Sequence, residues 1–284
     1  MTLADDRAAA VWDAEEARRA RSARIETVAR WVIPVLVVCA TLGLWQWYVI
    51  AYEVPHYLLP APTRIWEQLV TDRLILADAL WVTLKITIMA LAVAVLGGVL
   101  LAILFNQSRF AELVFYPYAV ILQVTPIVSI APLIFIYVKE PTARVLICAW
   151  IVAFFPILSN TTLGLKSTDH NLRDLFAIYG ASRWQRLIFL QLPSALPYFL
   201  GGLRIAGGLA LIGAIVAEYV VGTGGAGSGL AFRILEASYR LNIPRMFAAL
   251  ALIAVVGVAI FALTSFVSWF ALRKWHESAI RRET

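Results

Sequence analysis

Charge is scarce in this chain. Only 15% of its 284 residues are Asp, Glu, Lys or Arg, against about 25% in an ordinary soluble domain. Histidine is limited to three residues and cysteine to two, Cys39 and Cys148. Both cysteines lie in long apolar runs, where the thiol acts as a small hydrophobe. A disulfide scaffold is excluded, and no Cys/His spacing suits a metal. His56, His170 and His276 fall in polar stretches between or after the apolar runs. Catalysis by paired acids, bases or nucleophiles therefore lacks raw material, and no enzyme activity is expected. No Gly-Lys pair occurs anywhere, which excludes a P-loop.

Apolar residues fill the space. They make up 61% of the chain, and the mean hydropathy is +0.80. A soluble fold of this size has too little interior for that, and disordered or collagen-like chains are far less apolar. Six runs each reach the about 20 residues needed to cross hydrocarbon: Trp31–Ile50, Ala79–Phe105, Leu113–Val138, Val145–Leu165, Ala195–Ala217 and Met246–Leu272. Lys85 and Arg204 are the only charges inside them. Open backbone groups are untenable in lipid, so each run is expected to be a helix. The alternation of a transmembrane barrel is absent. The expected fold is all-α and integral to the membrane: six transmembrane helices with both termini cytoplasmic. That orientation puts 15 basic residues inside and 7 outside, and Lys85 and Arg204 complete the 24. Cytoplasmic flanks carry such an excess. It accounts for the net charge of +6, so membrane lipid, and no nucleic acid, is the expected environment.

Three parts follow: a polar N-terminal segment over 1–30, a six-helix membrane domain over 31–275, and a cytoplasmic tail over 276–284. The first part carries twelve charges. Asp13 to Arg30 reads as a polar helix or as a solvated tail. Residues 51–78 form an outer segment whose Ile65, Trp66, Leu69 and Val70 suggest a helix lying on the membrane surface. Two stripes of small residues, Ala90/Ala94/Gly98/Ala102 and Gly202/Ala206/Ala210/Ala214, would let helix backbones approach closely. Pro117, Pro126, Pro132 and Pro156 fall inside the third and fourth spans and are expected to bend them.

Gly222–Gly229 looks like a phosphate loop but has no following Lys-Ser/Thr, and Ala226 stands where a nucleophile-elbow glycine would be. It reads as an outer re-entrant turn. Glu218, just before it, is the only carboxylate near span depth. Lys85, Arg204 and Glu218 each read either as interfacial anchors or as groups on a solute path or gate.

The loop over 166–194 carries the strongest pattern. Leu172, Leu175, Phe176 and Tyr179 recur at helical spacing up to Gly180. Ser182-Arg183-Trp184-Gln185 is a capping box with Ser182 as N-cap. Trp184, Leu187 and Ile188 form a second stripe, and Pro193 is expected to end it. Two short amphipathic helices over 172–179 and 183–190 are therefore expected, joined at glycine. They are too short to span a membrane and too apolar to stand free, so they must dock on the bundle or on a partner.

These residues resemble the EAA signature of binding-protein-dependent ABC importer permeases. Asp174, Leu175 and Phe176 stand at the Glu-Ala-Ala positions, Gly180 follows at the family spacing, and Leu190, Leu192 and Pro193 close the pattern. Asp replaces Glu, and Leu-Phe replaces Ala-Ala. The Gly-Ala-Ser run at Gly180, Ala181 and Ser182 is similar too, as are the stretch through Arg204 and the Ala217-Glu218 pair. The outer Leu58-Leu59-Pro60-Ala61-Pro62-Thr63 segment is similar to the subgroup moving nitrate, sulfonates and taurine, with its pyrimidine-precursor and riboflavin permeases. The resemblance spans roughly residues 56–275.

The resemblance implies a multi-pass permease subunit in a bacterial cytoplasmic membrane. It implies cytoplasmic ABC ATPase subunits docked on the 166–194 loop through Asp174, Leu175, Phe176, Tyr179, Gly180, Ala181, Ser182, Leu190 and Pro193. It implies a second permease copy, paired as a homodimer, and an extracytoplasmic substrate-binding protein. ATP would be bound by the partner, with no cofactor in this chain. The competing reading is an ATP-independent secondary transporter or channel, which an inverted repeat would favour; the 172–193 pattern has no second copy.

Overall fold

The computed structural model describes residues 29, 32–221 and 227–273. The polar segment before them, Gly222–Ala226 of the glycine-rich stretch and the 276–284 tail lie outside the described residues. Two compact units divide the chain, residues 1–66 and 67–284. Among the described residues the regular elements are all helical.

In the first unit, α1 (Val32–Ala51) is a 20-residue apolar helix. It ends in a turn in which Glu53 takes φ 47° and Val54 N–H donates to the Val49 carbonyl at 3.0 Å. The Gln46 side chain then ties α1 to the start of α2 (Pro62–Thr71). It accepts from Thr63 N–H at 3.2 Å and donates to Thr63 Oγ1 at 3.1 Å. Pro62 opens α2, where its missing donor costs nothing. No residue of α2 is buried.

The second unit is built around α6 (Pro141–Lys166), flanked by α3 (Arg73–Gln107) and α9 (Leu192–Val221). Both small-residue stripes face this packing. Ala90, Ala94, Ala102, Ala206, Ala210 and Ala214 are fully buried. A Cβ on Gly98 would lie 2.7 Å from Ile157 Cγ2, and one on Gly202 2.8 Å from the Pro156 carbonyl. Close backbone approach maximises van der Waals contact, which must hold helices together where lipid is as apolar as the side chains. Phe105, Phe154, Ile157, Leu158 and Leu165 fill one end of this core; Ile86, Val145 and Cys148 fill the other. α10 (Leu230–Tyr239) and α11 (Ile243–Leu272) pack together beside it. The outer face of α11 leaves Val255, Val258, Phe261 and Phe266 exposed, as a lipid-facing surface requires.

Among the described residues, five helices are long and apolar enough to cross a membrane. The third apolar run differs from a single span. It divides into α4 (Arg109–Val124) and α5 (Ile127–Tyr137), bent by 105°. The cause is local: the Pro126 ring disfavours helical backbone at Thr125, whose ψ is 123°. Pro117, Pro132 and Pro156 sit within helices without ending them.

Pro193 does not end a helix either, which corrects the expectation. α8 (Arg183–Arg186) passes through a π turn, Leu187–Gln191, directly into α9, so Arg183–Val220 forms one 38-residue stretch. Leu192 N–H donates to the Leu187 carbonyl, five residues back. This wider turn, placed just before the proline, absorbs the misfit that its ring and missing donor create.

Candidate functional site

At the end of α9 that leads into the glycine-rich stretch, Glu218 is only 5% exposed. Thr83 of α3 donates its hydroxyl to Glu218 Oε1 at 2.8 Å. Ala231 N–H donates to Glu218 Oε2 at 3.1 Å, and Leu230 N–H donates to Thr83 Oγ1 at 2.9 Å. Glu218 and Thr83 thus cap the first turn of α10 from two other helices. The residue at the N-cap position itself, Gly229, supplies no side-chain bond. It cannot carry one, because a Cβ there would lie 2.1 Å from Glu218 Oε1. A carboxylate at a helix N-terminus also meets the positive end of the helix dipole.

This knot borders a cavity of about 170 Å³ whose lining includes Lys85, Thr142, Glu218, Ser228 and Phe232. Lys85 is exposed. Glu218 is therefore no snorkelling anchor: it is buried and bonded. Arg204 lies apart, exposed on α9, with its guanidinium 5.8 Å from the Phe261 ring of α11. Sequence reasoning missed Thr83 altogether. The available signal was a threonine pair, Thr83 and Thr87, one helical turn apart in an otherwise apolar run.

A second knot on this side joins α3 to α11. Arg245 grips Asp72 through both Nε and Nη2, the latter at 2.9 Å from Oδ1. Burial pushes the Asp72 carboxyl up, but bonds from Arg245 and Gln68 outweigh that and hold it below its ordinary value.

The 166–194 loop lies at the opposite end of α6. Asp169 caps α7 (His170–Ile178) by accepting from Asn171 N–H at 2.7 Å. α7 ends in a Schellman motif: Ala181 N–H donates to the Phe176 carbonyl at 2.9 Å and Gly180 N–H to Ala177 at 3.0 Å. Gly180 takes φ +68°, as that motif demands. The capping box follows as expected: Ser182 Oγ accepts from Gln185 N–H, and Gln185 Oε1 accepts from Ser182 N–H at 2.7 Å. Both helix ends at the joint are thus fixed by hydrogen bonds.

No residue of α7 is buried. Tyr179 and Ile178 are 82% exposed, Phe189 68% and Trp184 65%. Leu175, Phe176, Tyr179, Ala181, Gln185 and Phe189 line an open cleft of about 420 Å³ between the two short helices. Asp174 and Ser182 are exposed beside it. Leu190 turns the other way, into the core, and Pro193 is half-buried in the continuous helix. The apolar face of the α7–α8 pair therefore does not dock on the bundle; it offers an apolar cleft outward.

Residues 94–276 match the model of the family described as binding-protein-dependent transport system inner membrane component. A probable ABC transporter permease protein of Haemophilus influenzae is 32% identical over 80% of this chain and 91% of its own length. The riboflavin transport system permease protein RibX of Chloroflexus aurantiacus is 31% identical over 90% and 96%. The formylaminopyrimidine transport permease protein ThiX of Halalkalibacterium halodurans is 34% identical over 72% and 81%. A solved structure titled as an amino acid ABC transporter with histidines shares the fold, with a TM-score of 0.60 at 19% identity over 70% of this chain and 95% of that one.

Proposed function

The chain belongs to the binding-protein-dependent transport system inner membrane components, multi-pass transport permeases rather than enzymes, and from that membership we propose the following role. It is the permease subunit of an ATP-driven importer in a bacterial cytoplasmic membrane. The α4–α5 pair counts as a sixth, broken span, and both termini are cytoplasmic. Cytoplasmic ATPase subunits seat the α7–α8 pair, an extracytoplasmic binding protein delivers a solute, and ATP is bound by the ATPase.

One observation carries this reading: the exposed apolar cleft on a joint whose two helix ends are both capped. An apolar face left open to water marks a partner, and force passes only through a rigid contact. Pairing with a second copy is supported by one face of α9. Gly201, Arg204, Ile205, Gly208 and Ile212 line up there at helical spacing, and all are exposed. A Cβ on Gly201 or Gly208 would meet nothing within 4 Å, so a neighbouring helix could approach closely. For substrate, the relatives named for riboflavin and a formylaminopyrimidine favour a small vitamin or pyrimidine precursor. A nitrate-, sulfonate- or taurine-like anion is the other class, since relatives named for aliphatic sulfonates and nitrate also match.

The test is Phe176→Asp, which puts an unpaired charge into the cleft. It should cut ATPase co-purification by about 30-fold, the weight of one interface hot spot, and abolish ATP-dependent uptake in proteoliposomes at equal permease level. Equal recovery and uptake for variant and parent would remove the loop as the coupling element. Uptake without any ATPase would establish the ATP-independent transporter instead.

A further inference from the structure

We propose that the cavity where α3, α4, α7 and α8 meet binds a phosphate-bearing anion. The cavity has a volume of about 370 Å³ and its walls include Arg109, Arg173, Arg183 and Arg186, together with Asn106 and Gln191, and no carboxylate. That volume is in the range of small-molecule sites, about 300–1,000 Å³.

Among the described residues some basic groups are neutralised: Lys166 by Glu112, Arg233 and Arg240 by Glu236, Arg245 by Asp72. Among the described residues none of the four cavity arginines has an ion-pair partner. Yet the cluster is built and not merely solvated. Arg173 Nη2 donates to the Lys166 carbonyl at 2.9 Å, which pins the side chain, while its Nε is buried with no acceptor. The Nε of Arg186 is buried and unpartnered in the same way. Asn106 Nδ2 donates to Gln191 Oε1 at 2.7 Å and so fixes the wall between α3 and the π turn. Buried donors without acceptors are uncommon, and two of the four cavity arginines carry one. Guanidinium forks match the oxygen pairs of phosphate better than any other anion.

The site lies where α3 and α6 end, at Gln107 and Lys166. A lipid headgroup in the adjoining leaflet and a free phosphate can both reach that level, and basic pockets between membrane helices take such headgroups. The inference is independent of ATPase and transported solute, and its binding measurement uses the permease alone.

The experiment measures inorganic phosphate binding by titration of the full-length permease in phosphatidylcholine nanodiscs. In parallel, thermal unfolding is followed in nanodiscs with and without phosphatidylglycerol. Arg173→Gln with Arg186→Gln should weaken the anion effect by roughly tenfold for each charge-assisted hydrogen bond removed. Arg173 also holds the end of α6, so Arg109→Gln with Arg183→Gln, at exposed positions, is the second variant. Lys139→Gln, at the other end of α6, is the control and should keep the full effect. Response to inorganic phosphate identifies a free anion; response to phosphatidylglycerol alone identifies a headgroup. No response of the parent to either, or equal responses in all variants, overturns the proposal. Variants that lose ATPase recovery with no anion effect in the parent overturn it in favour of a protein-docking surface.

Discussion

Thr83→Val is a near-isosteric change that isolates the knot between α3, α9 and α10. The Thr83 hydroxyl has one proton and two lone pairs. It spends the proton on Glu218 and one lone pair on Leu230 N–H. Thr83 and Leu230 are both fully buried, so water cannot replace the Leu230 N–H bond. Valine keeps the volume and removes both interactions. Each buried polar group left without its partner costs about 1–3 kcal/mol. The Leu230 N–H loses its acceptor outright. Glu218 keeps the Ala231 N–H at 3.1 Å and so loses less. The total is about 2–4 kcal/mol in favour of releasing the start of α10.

Hydrogen exchange of the 230–231 amides reads that release directly, since local opening governs exchange. The expected acceleration is about 30-fold to 1,000-fold. Thr83→Ser is the control: it keeps the hydroxyl and loses one methyl group, worth about 0.8 kcal/mol or a fourfold change. Glu218→Gln should fall between them, because an amide oxygen still accepts. Solute uptake should fall with the same ranking if the knot holds the outer mouth of the path. Equal protection of 230–231 in the valine variant and the parent would refute the capping role of Thr83.

Gly180→Val forces a β-branched residue to φ +68°, at more than the about 1–2 kcal/mol of an ordinary left-handed residue. A built Cβ there meets nothing within 4 Å, so membrane levels should hold while ATP-dependent uptake drops; unchanged uptake would free the joint of any need for glycine. Asp72→Asn should lower stability by about 2–3 kcal/mol at neutral pH by breaking a buried pair. The Asp72 carboxyl is held below its ordinary 3.8, so its contribution is full above about pH 4 and is lost as pH falls through the lowered value. Thermal unfolding of parent and variant should therefore converge in acid, and a gap that persists there would deny the ion pair its role. In a Cys39→Ser background, Thr63→Cys should react with an impermeant thiol reagent from outside, and Asn171→Cys only after the membrane is opened; the reverse pattern would invert the topology.

Hydropathy located the helices because lipid imposes a length and forbids open backbone groups, and both demands are written in composition. The α7–α8 joint was legible for a different reason: its bonds are local. Ser182 and Gln185, or Ala181 and Phe176, are a few residues apart, so spacing alone identifies them. The knots were not legible, because Thr83 meets Glu218 across 135 positions and Asp72 meets Arg245 across 173. A lone buried carboxylate in a sequence names no partner. Proline misled in both directions. Pro193 reads as a stop and is passed through, while Pro126 reads as a kink and produces a 105° break. The ring and the missing donor are the same in both cases. At Pro193 the chain widens into a π turn with Leu187 and Leu190 packed into the core. At Pro126 the preceding Thr125 is β-branched and extended, its hydroxyl bonded back to the Ile121 carbonyl at 2.6 Å. That bond closes off the end of α4 and leaves α5 free to turn against α6 and α9. Whether a proline bends, breaks or passes is thus decided by the backbone before it and by the packing on either side, and neither is carried by the proline itself.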